Sequence, residues 1–171
     1  MLMATLHKKI ARLPLEAMLL FIDDEISKLD SDEYFSHYAL AKSNVLRGMN
    51  RTAEAVELLT QCFVLNPPES VFFFAGQYSL ENQDYSSAIV HLTLCIDSCL
   101  KTGDQWYLDS AYLLRAYGAA KVGNEGLAEN DLKFIGNNHA MGWVEATPCV
   151  SEANVLAMLR GAKHYHRQPN R

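Results

Sequence analysis

Apolar and polar positions along the chain follow a helical rhythm, and the same layout returns three times: an apolar helix, a short polar turn, and a second helix opening just before an alanine. The first unit runs from Tyr38 to Met49, turns at Asn50-Arg51-Thr52, and continues from Ala53 to Leu65 before Asn66-Pro67-Pro68. The second pairs Val71–Leu80 with Tyr85–Ile96 across residues 81–84, and the third pairs Ser110–Val122 with Leu127–Ile135 across residues 123–126. Anchored on Ala55, Ala88 and Ala128, the units are spaced 33 and 40 residues apart. In each, Leu59, Leu92 or Leu132 follows four positions later, and Cys62, Cys95 or Ile135 three after that. Positions i, i+4 and i+7 share one helix face, so each second helix carries a stripe to pack on its partner. Ser43, Gly76 and Ala116 are the small residues where two helix axes are expected to come close. A hairpin of this kind has apolar surface it can bury only against the next one.

These residues resemble the tetratricopeptide repeat family, whose motif of about 34 residues places an aromatic and a small residue in the first helix and Ala-x3-Phe-x2-Ala in the second. The turns beginning at Asn50, Gln83 and Gly123 look like the family's Gly-Asp-Tyr-x2-Ala, Phe72 with Gly76 and Tyr112 with Ala116 match the first helix, and Pro67 falls at a unit end. Ala39 and Lys42 stand where bulky apolar residues are usual, and the second unit is stretched by about six residues and lacks its closing proline. The resemblance spans residues 36–136 and implies an all-α fold: a right-handed superhelix of three hairpins. Residues 1–35 form an N-terminal helical segment with a turn at Pro14, and residues 137–171 a capping helix from Glu152, capped by Ser151, with a basic tail. Between them, Trp143–Pro148 reads as a loop.

The resemblance also implies an inner groove that takes an extended or helical peptide. By register, His37, Leu40, Asn44, Arg47, Phe73, Gln77, Leu80, Glu81, Leu113, Tyr117 and Lys121 face it. Phe72, Phe73 and Phe74 span about 200° around a helix, so they cannot share one seam. Phe73 is then either an anchor for a bound segment or is covered by a terminal helix folding across the groove.

Charge and composition narrow the partner. The chain has 171 residues, 49% of them hydrophobic, and a formal net charge of -5. Residues 1–159 carry -9 and the last twelve +4. An acidic body argues against nucleic-acid binding and suits a basic polypeptide. Asp23, Asp24, Glu25, Asp30, Asp32 and Glu33 form the densest acidic cluster, read either as solvated helix ends or as a docking patch for that partner. Lys8, Lys9, Arg12, Pro14 and Glu16 interrupt the apolar stretch near the start, which is shorter than a membrane span requires. The expected address is the cytoplasm, with Cys62, Cys95, Cys99 and Cys149 as free thiols.

Candidate chemistry is sparse. His91, Cys95 and Cys99 lie at i, i+4 and i+8, but a helix sets the outer two about 12 Å apart, too far for one ion. The expectation is no enzyme, no cofactor, no metal and no membrane insertion. The sequence points to a binding module for a protein or peptide. The plan looks like that of type III secretion chaperones; the alternatives are an immunity protein neutralising a basic toxin, or a scaffold that forms a homodimer through Phe73 and the N-terminal helix.

Overall fold

In a computed structural model of the chain, residues 12–30, 34–135, 142–144 and 147–166 are described, with side chains described except at 142–144, 147–149 and 162–166. The elements in order are α1 (Leu15–Ser27), α2 (Phe35–Gly48), α3 (Thr52–Gln61) with a 3-10 turn Cys62–Leu65, α4 (Glu69–Glu81), α5 (Tyr85–Thr102), α6 (Leu108–Lys121), α7 (Glu125–Leu132), β1 (Gly142–Val144), β2 (Thr147–Val150) and α8 (Glu152–His166). The fold is helical, and the described residues add one two-stranded antiparallel hairpin, β1–β2. That hairpin replaces the loop expected at Trp143–Pro148. Two such short strands hold each other's main-chain groups only because helices lie beneath them.

Helices α2–α3, α4–α5 and α6–α7 form three hairpins, and each helix packs on the next. Their turns are built alike. The first helix ends with Arg51 N–H donating to the Leu46 carbonyl at 2.8 Å, Asp84 N–H to Ser79 at 2.9 Å, and Asn124 N–H to Ala119 at 2.8 Å. In each case the preceding residue takes the left-handed conformation: Asn50 (φ 59°), Gln83 (φ 60°) and Gly123 (φ 77°). This double-bonded helix end satisfies carbonyls that would otherwise be orphaned. Two of the second helices are then capped by side chains: Asp84 Oδ1 accepts from Ser87 N–H and Asn124 Oδ1 from Leu127 N–H. The three left-handed residues keep the spacing of the three alanines, because turn and packing position are parts of one repeated unit.

Inside each hairpin the packing positions are closed. Ala55, Ala88 and Ala128 are fully buried, as are Leu59, Leu92, Cys62, Cys95, Ser43 and Ala116. Leu132 and Ile135 are only half-buried, because α7 ends at Leu132 and a charged residue, Asp131, takes the innermost place. The extra length of the second unit goes into α5, which runs to Thr102 before stopping at Gly103. Helix α1 packs on α2, and α8 packs on α6 and α7, covering the last hairpin. Ser151 and Asn154 cap α8 reciprocally: each side chain accepts from the other's main-chain N–H.

The turns give a direct test. A side chain costs roughly 1–2 kcal/mol in the left-handed region, and glycine is largely spared that cost. Gln83→Gly is expected to raise the urea midpoint, whereas Gly123→Gln, with no atom within 4 Å of the new Cβ, should lower it by about 1 kcal/mol of stability through backbone strain alone.

Candidate protein-interaction face

Helices α2, α4 and α6 open the three hairpins, and the register places eleven residues on their shared face. The structure divides these residues into three groups. Phe73, Gln77, Leu80, Leu113 and Tyr117 are buried. His37, Leu40 and Arg47 are half-buried, with Glu81 shielded against Arg47, and Asn44 and Lys121 are exposed.

Phe73 is therefore a correction. At 8% exposed it lies between α4 and α6, with its ring centroid 4.8 Å from that of Tyr107 and 5.5 Å from that of Phe74. Phe73 shares a buried apolar cluster with Val155 and Leu159 of α8, in keeping with the alternative that a terminal helix covers it. Phe74, the next residue along, is half-buried. Leu113, Tyr117 and Gln77 are corrected for a different reason. Strand β1 lies against both α4 and α6, and β2 against α6, so this half of the face is covered by the chain itself. Val150, Val155 and Leu159 from the C-terminal elements join Phe73, Leu113 and Tyr117 in one buried apolar cluster.

The polar residues expected to meet a partner's main chain hold helices together instead. Tyr78 donates its hydroxyl to Asn44 Oδ1 at 2.6 Å, and Asn44 donates to the Leu40 carbonyl at 3.0 Å. Arg47 grips Glu81 through Nε and Nη2 at 2.8–3.1 Å and lies over the Tyr78 ring. A fork of this kind is the strongest form of charged hydrogen bond. His37, Leu40, the outer edge of Asn44 and Phe74 remain accessible beside it. Lys121 lies over the Tyr117 ring, 5.3 Å from its centroid.

The acidic cluster is partly neutralised within the fold. Asp23 pairs with Lys42 at 2.5 Å, and Lys28 pairs with both Asp24 and Glu25. Asp30 is exposed, and Asp32 and Glu33 lie outside the described residues. Between α1 and α3 an open cleft of about 290 Å³ is lined by Asp23, Lys42, Arg51, Glu54, Glu57 and the apolar edge of Leu19. Arg51 and Glu54 pair along one wall, at the start of α3, through two bonds of 2.7 Å, and this holds the Glu54 carboxyl below its usual titration range.

Buried chemistry is structural. Ser79 donates to the Ala75 carbonyl at 2.8 Å, so the His91 Nδ1 contact at 3.2 Å has the imidazole donating to Ser79 Oγ. Phe63 meets the His91 ring edge-on, and burial lowers the imidazole's pKa. Burial likewise raises the thiols of Cys62, Cys95 and Cys99, all free. Among the described residues no group of three His, Cys, Asp or Glu side chains is placed to hold a metal. None of the described helices is long and apolar enough to cross a membrane. The feature that periodicity misses is the ion pair of Arg115 and the fully buried Asp131. Its two bonds measure 2.7 and 2.8 Å, and Arg115 also donates to Thr93 at 2.9 Å.

Comparison with known protein families, characterised proteins and solved structures finds no match to this chain.

Two outcomes follow from these placements. Phe73→Ala should destabilise the fold by about 3–5 kcal/mol in urea unfolding, the usual cost of emptying a buried aromatic site. For His91, the unfolded chain takes up a proton near pH 6.5 while the fold resists it. Stability should therefore fall as pH drops below about 6.5. In His91→Gln that part of the slope between pH 7.5 and 5.5 should vanish, read as the difference in urea midpoints.

Proposed function

We propose that this chain is a non-enzymatic binding module of the tetratricopeptide type, its three hairpins wound as a right-handed superhelix, which holds a partner polypeptide in the manner of a cytoplasmic secretion chaperone. The observation that carries this reading is the accessible strip on α2 and α4. There half-buried Leu40 and Phe74 supply apolar surface, with half-buried His37 and exposed Asn44 also on α2. A mixture of apolar anchors and hydrogen-bonding groups on a helical surface suits a bound peptide. Aromatic anchors such as Phe74 supply most of the energy of such contacts.

The competing readings draw less support. An immunity protein built on the acidic cluster would need those carboxylates available, and Asp23, Asp24 and Glu25 are engaged by Lys42 and Lys28. A homodimer through Phe73 would require that ring at the surface, and it is in the α4–α6 seam.

The test places a photo-crosslinking amino acid at position 37 or 44 in cells of the native host, with exposed Ser86 on α5 as the control site. One polypeptide should be captured from 37 and 44 and not from 86. His37→Glu, which puts an acid in the first turn of α2 where the helix end favours it, should leave the melting midpoint in place and cut the crosslinked yield of the probe at 44 by at least fivefold. Equal adducts from all three sites, or none, would overturn the proposal.

A further inference from the structure

We infer that the end of the stack around Trp106 is a docking surface for an arginine-containing segment of a partner polypeptide, whose arginines stack on the indole and pair with the carboxylates of Glu69 and Asp104. This surface lies on the connection between α5 and α6, apart from the strip on α2 and α4, and does not rest on the reading given for that strip.

The first observation is the indole itself. Trp106 is 82% exposed, on residues 103–107 between α5 and α6. Its main chain is fixed all the same. Gly103 N–H donates to the Cys99 carbonyl at 2.8 Å, Trp106 N–H donates to Asp104 Oδ1 at 2.8 Å, and the neighbouring Tyr107 packs on Phe73. A tryptophan left in water contributes almost none of the burial that makes the residue favourable inside a fold. A small polar residue could make the same main-chain bond. Exposed Leu100, in the last turn of α5, adds apolar surface at the same end of the helix pair.

The second observation is the charge beside it. Thr102 Oγ1 donates to Glu69 Oε1 at 2.9 Å and accepts from Asp104 N–H at 3.3 Å, so the two acids are joined through one hydroxyl. Burial, the neighbouring thiols and the charges of Asp104 and Glu69 together push the Tyr107 hydroxyl up, so both carboxylates act on one point next to Trp106. The Glu69 carboxyl is held below its usual range, first by its own main-chain N–H at the start of α4 and then by the hydroxyls of Thr102 and Ser98. It is therefore charged at neutral pH. Elsewhere Asp23, Glu54, Glu81 and Asp131 each face a lysine or arginine. Among the described residues Glu69 and Asp104 face none, and Lys101, the nearest cation in sequence, pairs with neither.

These two features select the occupant. Tryptophan is the best aromatic face for a cation, and a planar guanidinium both stacks on it and forks to a carboxylate. A second copy of this chain docked on the same surface would bring Glu69 and Asp104 against their own kind, and an anionic bilayer would be repelled by them. An arginine segment meets both the apolar and the charged part.

The experiment titrates the full chain into a labelled peptide of alternating arginine and leucine at physiological ionic strength, which screens the net charge of the remaining surface. Trp106→Ala should weaken binding at least tenfold and leave the melting midpoint in place. Glu69→Gln and Asp104→Asn keep their hydrogen bonds and should each weaken it at least threefold, which keeps the test decisive should Trp106→Ala alter the connection. Glu57→Gln, at an exposed carboxylate on α3, should leave it unchanged. A lysine–leucine peptide of the same length should bind at least threefold more weakly. Unchanged binding in Trp106→Ala, or equal losses from Glu57→Gln and Glu69→Gln, would overturn the inference. So would a mass in light scattering that halves in Trp106→Ala, which assigns the surface to a second copy. Capture by phosphatidylserine vesicles that is lost in Trp106→Ala would overturn it in favour of a membrane. None of these readouts involves positions 37 or 44, so this result and the crosslinking there fail or succeed separately.

Discussion

Leu92 fills the space into which a side chain at residue 76 would project: a β-carbon on Gly76 would lie 2.5 Å from Leu92 Cγ. Helices α4 and α5 are therefore closer together than any residue but glycine allows at that level. Ser43 and Ala116 occupy the same place in the neighbouring hairpins, and opposite them Ala55, Ala88 and Ala128 are completely enclosed. With the two helices of a hairpin this tightly joined, few large side chains fit between them. The remaining apolar residues must project outward to the next hairpin, as Tyr78, Val71 and Ala75 do toward α2 and Phe73 and Leu80 toward α6. Stacking is thus a consequence of the close approach, since an isolated pair would leave that stripe in water.

Polar contacts then set how one hairpin sits on another. Asn44–Tyr78 and Arg47–Glu81 each join residues 34 apart, so one repeat is bonded to nearly equivalent places in the next. Ser98 and Thr102 reach back to Glu69 at the start of α4. Arg115 and Asp131 do the same work inside the last hairpin, where α7 is short and has little apolar surface to offer. Burying a charge pair costs several kcal/mol per ion in desolvation, offset only by good geometry. Its benefit is directional. A slip of one turn would leave Asp131 buried without a partner, whereas a slipped apolar contact would cost far less.

How much of this could be read in the sequence varies from residue to residue. The alanines, the small residues facing them and the turn positions were legible because each repeats at the same offset, and coincidence at three places is hard to produce otherwise. Phe73 was only partly legible, since the sequence left open whether a terminal helix covers it, and Val155 and Leu159 that share its cluster lie some eighty residues away. Asp131 follows Asn130 in a polar stretch, and its partner lies sixteen residues away on another helix with no local signature. The strands of residues 142–150 were hidden for a related reason. They are too short for a period, Pro148 argues against a strand by its missing donor, and it is packing on α4 and α6 that holds them extended.

The two halves of the face are not independent of one another, because they share α4. Phe74, on the accessible strip, meets the rings of Tyr78, Phe73 and Tyr107. Tyr78 is bonded to Asn44 on the α2 side, while Phe73 and Tyr107 meet at a tilt of 37° at the start of α6. A polypeptide that seats on the α2 side must press on Phe74, and densely packed aromatic rings have few ways to yield without moving a neighbour. Gly76 fixes α4 against Leu92 of α5 on one side of that row, and Gly118 sets α6 against Leu80 on the other. The rings therefore sit on a frame of close backbone contacts, completed by the clamp of Arg115 on Asp131.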